Sequence, residues 1–269
     1  MEAANTKIRG GEGHTVKSYF ELATKVAKLQ FLNRDHVLLF RGQMIDHTTI
    51  KGNTTLKPSL FRSPDTKRLT PKQLENRFLT LTQAETELVT RYHKAGLLGR
   101  ERLARHRILR WSILQHYEVC ATPLLDVTHS LRIAASFASY KNETGNAVLF
   151  VLGVPNLSGA VTASSEASMQ VIRLSSACPP EAVRPHLQEG YLLGEYPEIA
   201  DFNTNSRYQV YEMDFGRRLV AKFRFNSKSL WHSKNFQPAP DEALYPKEHR
   251  DRLLLLTQEL RASLDSEKA

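Results

Sequence analysis

The chain of 269 residues predicts an α+β fold, a helix-rich N-terminal half packed on a small mixed or antiparallel sheet. Three observations lead there. Apolar residues recur near a 3.6 period through residues 18–29, 71–98 and 100–117, the mark of amphipathic helices. They alternate, or run without interruption, at Val37–Phe40, Ala147–Val151, Met169–Leu174 and Leu219–Phe225, the mark of strands. The helical stretches lie mainly in the first half and the strands mainly in the second, an order that favours α+β over a doubly wound sheet.

Taken in order, residues 1–14 are mostly polar with Gly10, Gly11 and Gly13, and read as a disordered N-terminus. One domain is expected over 15–265, because no linker or internal repeat divides it. From Ser18 the rhythm Phe20, Leu22, Ala23, Val26, Ala27, Leu29 gives a helix. Val37–Phe40 gives a short buried strand ending at Arg41. Gly52, Pro58 and Pro64 make 44–70 mostly loop, with an extended element at Lys57–Arg62 held by Leu60 and Phe61. Pro71 suits the first turn of the next helix, and Gly99 breaks it. The following helix, 100–117, turns Trp111, Leu114 and Tyr117 inward and leaves His116 near its end. Ser130–Tyr140 is a helix whose Ala134, Ala135 and Ala138 permit close packing. The leucine-rich tail from Pro246 is a last helix.

Lysine and arginine number 37 against 28 acids, a net charge of +9 that favours anionic partners: a nucleotide, a phosphate or nucleic acid. Seven cations lie between Arg91 and Arg110 (Arg91, Lys94, Arg100, Arg102, Arg105, Arg107, Arg110), against the single acid Glu101. This is either a solvated helix face or a phosphate-facing one. No zinc-finger, RNP-like or helix-turn-helix signature accompanies it. Cys120 and Cys178 have neither metal spacing nor a disulfide framework, and no apolar stretch or leader directs the chain to a membrane. A cytoplasmic setting without metal or membrane is therefore expected.

Two stretches carry the candidate chemistry. In Phe40-Arg41-Gly42-Gln43 a guanidinium that never titrates away can fork onto phosphate oxygens, Gly42 removes a side chain that would hold a ligand off, and Gln43 adds an amide for a ribose or backbone. Arg41 could equally be a structural ion-pair residue. In Leu114-Gln115-His116-Tyr117, followed by Thr122–Thr128, polar side chains cluster between a basic and an alanine-rich helix. His116 either caps its helix, sits satisfied in the core, or meets a phosphate or hydroxyl. Tyr117 is then placed against an aromatic ring. Asp126 and Thr128 read as N-cap residues of the next helix, and a helix N-terminus also receives anions. Arg184, Gln188, Glu189 and Gly190 form a short helix leading into a glycine turn and a strand.

These motifs resemble the FRG domain, a bacterial and phage-associated family named for Phe-Arg-Gly. Phe40-Arg41-Gly42-Gln43, Leu56–Arg62, Leu114–Ala138 and Arg184-Gln188-Gly190 match in order, so the resemblance runs from about Val37 to Leu260. The chain departs from it at Glu118, where the family has glycine, at Val127, where it has an aromatic, and in a longer turn after Tyr117. A second resemblance is to arginine-type ADP-ribosyltransferases, through Arg41, Thr128 with the helix to Phe137, and Gln188-Glu189-Gly190. It implies an ADP-ribosyltransferase-like core using NAD as substrate, in a toxin or anti-phage effector. Arg41, Gly42, Gln43, His116, Tyr117 and Asp126 would bind the nucleotide ligand, and Arg41, Thr128, Gln188 and Glu189 would serve catalysis. A protein or nucleic acid would be the acceptor. Gly190 stands where those enzymes place the glutamate that stabilises the departing ribosyl cation. The alternatives are a non-catalytic nucleotide or phosphate-ligand module and a basic nucleic-acid-binding protein.

Overall fold

The structure, a computed structural model, describes residues 2–63, 68–156, 158–247 and 251–266, a mixture of helices and strands. The strands in chain order are β1 His14–Thr15, β2 Val37–Gln43, β3 Leu125–Thr128, β4 Asn146–Val154, β5 Val161–Ser164, β6 Met169–Arg173, β7 Gly190–Glu195 and β8 Leu219–Asn226. As expected, most of the strands, β4 to β8, fall in the second half; β1, β2 and β3 lie in the first, and a helix at Arg252–Ser266 closes the chain. The residues pack as two compact units. The first takes 1–56, 127–157 and 214–244, and the second takes 57–126, 158–213 and 245–269.

In the first unit β2 pairs antiparallel with β3 and β4, β4 pairs antiparallel with β8, and β1 runs parallel to β8. Side chains alternate across a strand. Leu38 and Phe40 on β2 therefore share a face and join Ala134, Ala135, Ala138, Leu149 and Val151 in one apolar cluster. Gly42 lies on that same face. A Cβ there would come within 1.8 Å of the Ala134 carbonyl oxygen and 3.0 Å of the Ala138 Cβ. The helix Leu131–Ser139 thus rests directly on the strand backbone, and helix packing, not ligand approach, demands the glycine. Arg41 does not end the strand as expected. Arg41, Gly42 and Gln43 continue pairing with Phe150, Leu149 and Val148, which carries β2 two residues further.

Glu2–Gly10 is helical where disorder was expected. Its anchors are distant in sequence and so left no local signal. The Asn5 amide donates to the Gly216 and Leu219 carbonyls at 3.2 and 3.0 Å, and Arg9 pairs with the buried Asp214 at 2.7 Å.

The second unit joins the antiparallel strands β5, β6 and β7 to the helices Pro71–Lys94, Arg107–His116 and Arg252–Ser266. Its core gathers Leu81, Leu88, Trp111, Leu114, Ile172, Leu192 and Leu260. Thr70 caps the first of these helices with a reciprocal Gln73 bond, and Pro71 occupies its first turn. The single helix expected over 100–117 is two, Arg100–Arg105 and Arg107–His116, parted by an extended His106. Carbonyls freed at the break find a donor in Arg110 Nη1, which reaches Leu103 O at 3.1 Å and Ala104 O at 2.8 Å. Lys57–Arg62 is not extended throughout; Ser59–Phe61 makes one 3₁₀ turn over the buried Leu60. Among the described residues no helix is long and apolar enough to cross a membrane.

Candidate functional site

The helix Arg107–His116 ends in a polar network that draws three of the sequence motifs together. Ser59 Oγ donates to Gln115 Oε1 at 3.1 Å and accepts from the Thr122 amide at 3.0 Å. The Thr122 hydroxyl also donates to Gln115 Oε1. With its oxygen thus taken, the Gln115 amide turns its Nε2 to Asp126 Oδ2 at 2.5 Å. The other oxygen, Oδ1, faces His116 Nδ1 at 3.5 Å. Asp126 is therefore no helix cap: it lies on β3, and the helix that follows is capped by the Ser130 hydroxyl, which accepts from the Ile133 amide.

His116 is buried, with 4% of its side chain exposed. Burial holds its imidazole below the ordinary histidine range, and the hydrogen bond to Asp126 only partly opposes this. The ring is neutral near pH 7. Its proton is assigned to Nδ1, where Asp126 accepts it. That leaves a lone pair on Nε2, and Nε2 is a buried atom with no hydrogen-bond partner among the described residues. A satisfied core histidine would have both nitrogens engaged. Nor does this neutral ring suit a phosphate, because Nε2 accepts and does not donate; a hydroxyl fits it. Gly190 makes room beside it: a Cβ at that residue would stand 3.4 Å from His116 Cε1 and 2.8 Å from Leu174 Cδ1.

Tyr117 takes the opposite course. Its hydroxyl donates to the fully buried Asp251, at 2.9 and 3.1 Å to the two carboxylate oxygens, and burial beside that carboxylate pushes its pKa up. Asp251 also accepts from the Arg184 amide at 2.9 Å and from the Leu253 and Leu254 amides at the start of the last helix. Its place just before a leucine-rich run is an N-cap signature that the sequence reading missed. Neither Gln115 nor Ser59, which lies within Leu56–Arg62, had been given a role by the sequence.

The remaining expected site residues lie as follows. Arg41 and Gln43 are half-buried on β2, on the face away from Gly42, and Gln43 Oε1 is buried with no hydrogen-bond partner among the described residues. Thr128 is buried, stands opposite Phe40 in register, and accepts the Ser130 amide at 3.0 Å. It turns the chain into the alanine-rich helix and does not cap it. Gln188 is buried at the end of the short helix Val183–Leu187, and Glu189 adopts a left-handed φ of 45° before β7. Much of the basic run has protein partners. Arg107 and Arg110 reach the buried Glu85 at 3.3 and 2.9 Å, Arg91 pairs with Glu87, and Arg102 donates to the Ser176 and Ala177 carbonyls.

Residues 36–147 match the family model of the FRG domain. The match takes in the Phe-Arg-Gly, Gln-His-Tyr and Thr122–Ala138 motifs; Arg184, Gln188 and Gly190 lie beyond it. No curated protein and no solved structure matches the chain.

Proposed function

This chain carries an FRG domain, and from that premise we propose that it binds a nucleotide-type ligand, NAD first among them, and transfers a ribosyl group from it to a hydroxyl acceptor. One observation carries the reading: the buried Nε2 of His116, with the ring oriented through Nδ1 by Asp126. A carboxylate-oriented histidine with a bare lone pair is built to take a proton from a hydroxyl. In the step proposed, the ribosyl C1′–N bond breaks and its electron pair leaves on nicotinamide. The acceptor oxygen bonds to C1′ and its proton passes to Nε2. Such consumption of NAD suits a toxin or anti-phage effector.

The test is purified protein with NAD and cell extract, following nicotinamide release and labelled acceptors. Release is expected, and His116→Gln should lower it by about 10²–10⁴-fold, the usual worth of a general base. Absence of NAD binding together with absence of turnover overturns the proposal.

A second reading, ligand binding without chemistry, is favoured by Gly190: the position where ADP-ribosyltransferases keep a carboxylate holds none. It predicts saturable NAD binding with no nicotinamide released.

A further inference from the structure

We infer that the second unit contains a separate pocket for a small phosphorylated ligand of mononucleotide size, centred on Arg184. A cavity of about 640 Å³ opens beside Tyr117, a volume within the usual range for small-molecule sites of roughly 300–1,000 Å³. Among the described residues three cations line it, Arg184, Lys247 and Arg261, against the single acid Glu118.

Arg184 is held in advance. Asp251 fixes its backbone amide. Its guanidinium carbon lies 5.8 Å from the Tyr117 ring centroid and 5.3 Å from that of Tyr245. The residue is 9% exposed, and its Nε is a buried donor with no acceptor among the described residues. A desolvated donor left without an acceptor is costly, and a phosphoryl oxygen is the acceptor best matched to a guanidinium fork.

Glu118 shows what the fork can hold. Its carboxylate sits 2.9 Å from Arg184 Nη2, yet 61% of its side chain is exposed. Its backbone adopts a φ of 57°, the left-handed region that favours glycine. A carboxylate presented from so exposed a side chain is a weak, solvent-screened partner, one that a dianionic phosphoryl group can displace. The pocket stands on Arg184 and not on His116, so failure of NAD turnover leaves it untouched.

Calorimetric titration of the full chain with adenosine 5′-monophosphate tests the assignment, with adenosine and inorganic phosphate as comparison probes. Saturable binding of the monophosphate is expected, with adenosine and phosphate each weaker. Arg184→Gln should weaken it by about tenfold or more, and Glu118→Gln should strengthen it several-fold, since the competing carboxylate is gone. Thermal melts confirm that both variants fold, and Glu118→Gln keeps the test alive if Arg184→Gln does not. Unchanged binding in Arg184→Gln, or no binding by either the parent chain or Glu118→Gln, overturns the proposal. Phosphate or adenosine binding as tightly as the monophosphate overturns the assigned ligand class.

Discussion

A carboxylate holds each end of the helix Arg107–His116, and the two ends are finished differently. At the start, Glu85 takes the Trp111 indole N–H at 2.7 Å, Arg110 Nε at 2.9 Å and Arg107 Nε at 3.3 Å. Each oxygen of this buried acid has a donor, and the arrangement is a lock. At the close, Asp126 gathers Gln115 and His116 with equal economy, but the ring it orients carries a second nitrogen with no hydrogen-bond partner among the described residues. Both clusters are polar, largely buried and rich in charge. Only the second leaves a buried polar atom without a hydrogen-bond partner among the described residues, so polarity alone does not mark a candidate site.

The largest expected effect breaks the lock. Glu85→Ala strands the largely buried Arg110 Nε and the Trp111 N–H, and should cost about 3–5 kcal/mol in urea denaturation. A loss as small as that of an ordinary surface change would remove the contrast between the two ends. The next effect concerns the open end. Because burial depresses the folded-state pKa of His116, the unfolded chain takes up its proton first, near the ordinary value of about 6.5. Stability from this group is complete above that pH and declines as pH falls through it toward the lower folded value. Denaturation midpoints compared between about pH 7.5 and about 5.5 should show a slope that is shallower in His116→Gln; an equal slope in both chains means that the ring titrates as it would in water. The smallest effect sharpens the lock itself. Arg107 is 44% exposed where Arg110 is 14%, so Arg107→Ala should cost less than about 1 kcal/mol. A larger cost would make the outer arginine an equal member.

Local chemistry made much of this readable in advance. Pro71 in its first helical turn, the inward Trp111, Leu114 and Tyr117, and the strands around Val148, Val171 and Phe223 all followed from short-range pattern. What escaped depends on distant partners. The N-terminal helix is secured through Asn5 to Gly216, 211 positions on. The break at His106 is compensated by an arginine four residues later, which no period reveals. Asp126 and Thr128 looked like caps because both precede a helix, but the actual cap is two residues beyond Thr128, and strand pairing with β2 claims Thr128 instead. Gly42 was assigned the wrong neighbour for the same reason: which backbone lies against a glycine is a property of the folded sheet. For His116 the sequence offered three environments, and only coordinates could show one nitrogen engaged and the other bare.

The interleaving of the two units bears on how this protein can be handled. Residues 36–147, excised alone, would keep β2 and β3 but only the first two residues of β4. They would lose β8 with Phe223 and Phe225, and also the Leu192, Leu253 and Leu260 side chains that pack around Trp111. Such a fragment would bare the hydrogen-bonding edge of β2 and half of each interior to water, conditions that lead to aggregation. The stretch that matches the family model is accordingly not a detachable part, and its properties have to be measured in the intact polypeptide.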